Sequence, residues 1–141
     1  MRDPSGRLLP SVLGVLFVLM AVGQLADLPA FVDILADYDA GPPWLLALLL
    51  VTGELGAGGW LLVAPHRRPL VPAVVFAAVS VLWTVLAAQA FGRGLTVDNC
   101  GCFGVYLAQP LRWWVLIQDA LLLLYSSLLL RGASRSVVVA A

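Results

Sequence analysis

A chain of 141 residues that is 62% hydrophobic and 11% charged carries less than half the charge of an ordinary soluble domain, where about a quarter of residues are Asp, Glu, Lys or Arg. This excludes a water-soluble fold. Eight arginines balance eight acids and there is no lysine, so no basic surface for a nucleic-acid partner is expected, and the lipid bilayer is the expected environment.

A spanning helix needs about 20 mostly apolar residues, because the hydrocarbon core is about 30 Å thick and each residue rises about 1.5 Å. Four segments qualify, at 8–26, 44–64, 70–91 and 113–130. The first follows Arg2 and Arg7 like a secretory signal. Its apolar run is too long for one and no small-x-small cleavage site follows, so it reads as a retained helix. After it, Pro29 suits a first helical turn, and Phe31, Ile34, Leu35 and Tyr38 recur at helical spacing opposite Asp33 and Asp37. The pattern predicts a short amphipathic helix lying on the outer membrane surface and ending at Gly41-Pro42-Pro43.

In the second span Gly53, Gly56, Ala57, Gly58 and Gly59 let a neighbouring helix approach closely. Trp44, Trp113 and Trp114 fall at predicted outer ends, where amphipathic rings favour the headgroup region. Short connections and alternating directions predict an antiparallel four-helix bundle with up-down connectivity, all-α and a single domain over residues 1–141.

Arginine sets the orientation, since the cytoplasmic side collects positive residues. Arg2, Arg7, Arg67, Arg68, Arg131 and Arg135 fall on one side, Arg93 and Arg112 on the other with Asp27, Asp33, Asp37, Asp39 and Asp98. Both termini and the His66 turn are therefore expected in the cytoplasm, in a bacterial cytoplasmic membrane. The loop after the third span then faces outward.

That loop reads Asp98-Asn99-Cys100-Gly101-Cys102-Phe103-Gly104 and holds both cysteines of the chain. Thiols one residue apart can close a small ring, with Gly101 imposing little steric penalty. Such a ring is strained, and strain makes a disulfide easier to reduce, so the pair suits exchange rather than stapling. Disulfides persist outside the cytoplasm. Arg93 and Arg112 bracket the loop and favour thiolate, while Asp98 opposes it. An inert loop pair remains open as an alternative, as does a metal site, although two sulfurs lack the usual four zinc ligands and His66 lies on the opposite face.

Glu54 lies near the middle of the second span and Asp119 in the outer half of the fourth, where an ionisable group costs about 2.5 to 3.5 kcal/mol on insertion scales. Arg112, Asp119 and Ser126 recur every seven residues as one stripe, Ser80 and Thr84 share a face of the third span, and these faces are expected to meet inside the bundle. Gln24 and Gln89 extend the polar interior toward the cysteines. The acids either relay protons or bind a quinone head group, or serve structure alone. In the structural case Glu54 is hydrogen-bonded between helices and Asp119 pairs with Arg112.

Four spans, the Gly53-Glu54-Leu55 step, the Cys100-Gly101-Cys102-Phe103-Gly104 stretch and Asp119 together resemble the MauE family of methylamine utilisation proteins, within the broader DoxX-like membrane proteins. The resemblance implies a role in maturing a disulfide-rich extracytoplasmic subunit, the small subunit of methylamine dehydrogenase in the namesake, together with a thioredoxin-like partner. It implies Cys100 and Cys102 as the redox pair and Glu54 as a characteristic buried acid. The leading expectation is thus a thiol-disulfide oxidoreductase-type component that passes electrons onward, with quinone as a candidate acceptor. A non-catalytic membrane anchor or assembly subunit is the main rival. A small-molecule transporter ranks third, for want of broken helices or an inverted repeat.

Overall fold

The structure, a computed structural model, describes residues 5–140, and every regular element among them is helical. The five helices are α1 (Ser5–Ala26), α2 (Leu28–Ala36), α3 (Pro43–Val63), α4 (Leu70–Gly92) and α5 (Trp113–Ala140). Of these, α1, α3, α4 and α5 are long and apolar enough to cross a membrane. The expected spans 8–26, 44–64 and 70–91 coincide closely with α1, α3 and α4. The expected 113–130 falls short of α5, which runs 28 residues. An apolar run marks where a helix can leave lipid, not where it ends, and Arg131 to Ala140 contain no proline, with Gly132 as the one weak helix former of that kind.

Successive long helices pack as neighbours, α1 on α3, α3 on α4 and α4 on α5. Small residues set the first two contacts. Gly14 and Gly58 face one another, and a Cβ on Gly58 would stand 2.9 Å from the Gly14 carbonyl oxygen. A Cβ on Gly53 would meet Val79 of α4, whereas Gly56 and Gly59 look into open space. Across the centre, Phe17 of α1 stacks on Phe76 of α4 with ring centroids 4.0 Å apart. The ring of helices does not close. Between α1 and α5 it leaves a lateral cleft of about 550 Å³.

Arg7, His66 and Ser136 line a cavity at one end, which places the start of α1, the α3–α4 turn and the tail of α5 together. Arg2, assigned to the same side, lies outside the described residues. The opposite end is capped by α2 and the 93–112 connection. Asp27 caps α2, its carboxylate accepting from the Ala30 amide at 3.2 Å. The helix does not lie with its apolar face on the membrane surface. Phe31, Leu35 and Tyr38 are each fully buried in the protein, with Phe31 6.4 Å from the Trp83 ring. The bundle's own outer end offers more apolar contact than the interface, and α2 takes it.

Candidate functional site

The Cys-Gly-Cys segment is held beneath α2 by an unusual density of backbone constraints. Gly101 (φ +81°) and Gly104 (φ +72°) both occupy the left-handed region, where a side chain costs about 1–2 kcal/mol. Both are also tight in space. A Cβ on Gly101 would press on Ile34 and Phe31 of α2, and one on Gly104 would collide with the backbone of Gly23 in α1. The Cys-Gly-Cys-Phe-Gly pattern is therefore the one that lets this loop turn twice while wedged between two helices.

Side chains complete the hold. Asn99 Oδ1 accepts from the Gly101 amide at 3.0 Å and its Nδ2 donates to the Gly104 carbonyl at 3.0 Å. The Cys100 amide donates to Gln109 O at 2.6 Å and Leu111 N to Val97 O at 2.9 Å, tying the two arms of the loop. From the turn after α2, the buried Tyr38 hydroxyl donates to the Cys100 carbonyl at 2.7 Å. From α1, Gln24 Nε2 donates to the Cys102 carbonyl at 3.0 Å. Burial raises the Tyr38 phenol above its ordinary value, so it stays a donor. Tyr38 and Gln24 thus fix the carbonyls on either side of Gly101.

The two cysteines are free thiols with Sγ atoms 3.3 Å apart, within hydrogen-bond reach for sulfur. Cys100 is 1% exposed, while Cys102 is only partly buried and faces the α1/α5 cleft. Their mutual hydrogen bond holds the Cys100 thiol below the ordinary cysteine value and pushes Cys102 above it, with burial adding to the rise at Cys102. The expected influence of Arg93 and Arg112 is not found. Arg93 is committed to Asp39, at 2.9 Å, and to Gln89 Oε1, at 3.0 Å. Arg112 lies over the Trp114 ring at 5.4 Å. Nor does Asp98 act on the sulfurs; the carboxylate that does is Asp119, which adds a smaller upward push on both.

The remaining expected residues divide. Asp119 is 3% exposed and lines the same cleft as Cys102, and its anticipated ion pair with Arg112 is absent because stacking on Trp114 holds that guanidinium at the surface. Glu54 is fully buried and accepts from Trp83 Nε1 at 2.7 Å. Gln24 neighbours the same carboxyl, so a polar chain runs from Trp83 through Glu54 and Gln24 to the Cys102 carbonyl. Glu54 Oε2 and Gln24 Oε1 are the buried side-chain oxygens without a partner among the described residues. Gln89 reaches the loop indirectly, donating to the Tyr38 carbonyl at 2.8 Å. Ser80, Thr84 and Ser126 do not bond across the bundle; each hydroxyl donates to the carbonyl four residues back on its own helix. Among the described residues no three His, Cys, Asp or Glu side chains gather as metal ligands.

Sequence reasoning quoted Asn99 without assigning it a role and passed over Gln109 and Trp83. A buried tryptophan needs a partner for its N–H, so Trp83 and Glu54 on adjacent spans formed a legible pair.

Comparison with known proteins bears on this arrangement. Residues 3–132 match the family model described as methylamine utilisation protein MauE. The chain belongs to the MauE family. It is 32% identical over 115 residues to a methylamine utilization protein MauE of Paracoccus denitrificans, covering 78% of this chain. The chain spans 60% of the length of that curated relative. No solved structure matches. The family match takes in α1 to α4 and most of α5, with the Cys-Gly-Cys segment, Glu54 and Asp119 inside it.

Proposed function

We propose that this MauE-family chain is a membrane thiol-disulfide relay that oxidises an extracytoplasmic client or its thioredoxin-like carrier. It is read as one domain over residues 1–141, in a bacterial cytoplasmic membrane, with both termini inside and the cysteines outside. The observation that carries the reading is the asymmetry of the pair, a partly exposed Cys102 beside a fully buried Cys100 with the two sulfurs 3.3 Å apart.

That asymmetry suits a disulfide donor. In the oxidised pair a client thiolate attacks Cys102 Sγ, the accessible sulfur. The Cys100–Cys102 bond breaks, and Cys100, the buried sulfur that the client does not reach, leaves as thiolate. A second client thiolate then displaces Cys102, giving a client disulfide and the reduced pair. Arg93, Gln89 and Tyr38 position α2 over the site, and Glu54 supports the loop through Gln24. The relatives' name directs the client search to methylamine utilisation, with a subunit of the methylamine dehydrogenase small-subunit type as the first candidate.

The test is the redox state of that client, co-expressed with the wild-type chain, Cys100→Ser or Cys102→Ser, and read by alkylation of free thiols. Either variant is expected to lower the disulfide-bonded fraction at least tenfold. Full client oxidation with both variants would overturn the relay and leave an anchoring role, in which the exposed Tyr106 and Leu107 at the loop tip present the docking surface.

A further inference from the structure

A relay that oxidises its client must itself be reoxidised, and the shape of the bundle indicates from which side. We propose that the α1/α5 cleft binds a membrane quinone, which accepts two electrons from the Cys100–Cys102 dithiol. The proposal rests on the relay reading and adds the acceptor to it.

Three features of the cleft carry this. Its volume of about 550 Å³ lies within the roughly 300–1,000 Å³ of small-molecule sites. Its walls are graded. Leu8, Val12 and Leu16 make an apolar run along α1, while Cys102, Gln118 and Asp119 gather toward the capped end. Leu8 to Met20 both line it, and that separation corresponds to about 18 Å of helix, room for a ring and the first units of an isoprenoid tail. Finally, the cleft opens sideways where α1 and α5 fail to pack, so its mouth faces the bilayer.

The other two cavities point elsewhere. One is lined by Gly56, Trp60 and Arg67, the other by Arg7, His66 and Ser136, and neither contains a sulfur. From the capped end Cys100 is shielded, buried where Ile34 and Phe31 lie close to Gly101, so that Cys102 is the sulfur left partly exposed. A lipid-soluble oxidant therefore has a direct approach to Cys102, and Asp119 is a buried carboxyl in the same wall that no arginine among the described residues engages.

The step balances. Each sulfur loses its proton and one electron as the S–S bond forms, and the two quinone carbonyl oxygens take up two electrons and two protons to give the quinol. Asp119 receives one thiol proton and passes it to the nearer quinone oxygen. Gln118 offers the second polar contact to the ring.

The experiment uses the full-length chain, reduced, in lipid nanodiscs, mixed with decylubiquinone. Quinol formation is followed by ultraviolet absorbance and the thiols by differential alkylation. One disulfide per quinol is expected, and Leu16→Trp, which fills the cleft, is expected to slow the reaction at least tenfold. Should that variant fail to fold, an azidoquinone photolabel on the wild-type protein answers the same question. Label confined to peptides 8–20, 102–103 and 118–125 supports the site, whereas label spread over all lipid-facing helices, as for bulk lipid, overturns it. Wild-type protein is titrated in parallel with glutathione disulfide. A pair oxidised by glutathione but not by the quinone sinks the acceptor proposal and leaves the relay standing; a pair that neither reagent oxidises sinks both.

Discussion

The two thiols ionise unequally because one proton shared between sulfurs 3.3 Å apart stabilises the first thiolate and must be given up to form the second. Cys100 is therefore expected to become reactive below the pH at which an ordinary cysteine does, and Cys102 above it. Cys102→Ala removes the hydrogen bond that lowers Cys100, so the reactivity midpoint of Cys100 should move upward. A pH series of methyl methanethiosulfonate labelling, read residue by residue, checks both directions. Glu54 makes a second residue-scale case. Glu54→Gln keeps an acceptor for Trp83 and supplies a donor toward Gln24, whereas Glu54→Ala orphans the indole N–H. Leaving a buried group unpaired costs about 1–3 kcal/mol, so the alanine variant should lose that much in detergent unfolding and the glutamine variant much less. At this scale the sequence exposed the cysteines and the buried acids through their rarity in an apolar chain. It did not show that Arg93 and Arg112 spend their charge on Asp39 and Trp114, because pairing depends on which side chains the fold brings within reach.

Among the elements, α3 shows how little a glycine-rich helix reveals about which glycine matters. Gly56 and Gly58 are two residues apart, yet one faces open space and the other the backbone of α1. Gly58→Val should force α1 and α3 apart and cost several kcal/mol or abolish folding, given that overpacking alone costs about 1–3 kcal/mol. Gly56→Ala should stay within about 0.5 kcal/mol of wild type. Thermal unfolding of the two variants in the same detergent decides it. The partner position, Gly14, escaped sequence reading because α1 has no cluster of glycines like that of α3 to draw attention to it. For α2 the helix itself was legible from Phe31, Leu35 and Tyr38, but its amphipathic pattern fits a membrane surface and a protein surface equally. Only tertiary packing separates the two.

For the molecule as a whole, the four spans were readable from length and hydropathy, since the bilayer imposes its thickness on any sequence that crosses it. The open seam between α1 and α5 was not, because the Asp119 and Ser126 stripe of α5 marks an inward face without marking which flank lacks a neighbour. Arg7, Arg67, Arg68, Arg131 and Arg135 nevertheless lie toward the end opposite the thiols. The expected orientation can be checked with a cysteine placed at Arg67 in a Cys100→Ala, Cys102→Ala background. A membrane-impermeant maleimide should label it in inverted vesicles and leave it unmodified in intact cells. Labelling of intact cells would reverse the assignment.

The clamped carbonyls on either side of Gly101 bear on how the proposed relay would cycle. Tyr38, in the turn after α2, and Gln24, in α1, hold the backbone at Cys100 and Cys102, so the sulfurs can approach and separate chiefly by rotation about their own Cα–Cβ bonds. Little mass moves and few dipoles turn. A site built this way spends its selectivity on access, through α2 from one side and the cleft from the other, rather than on a change of shape.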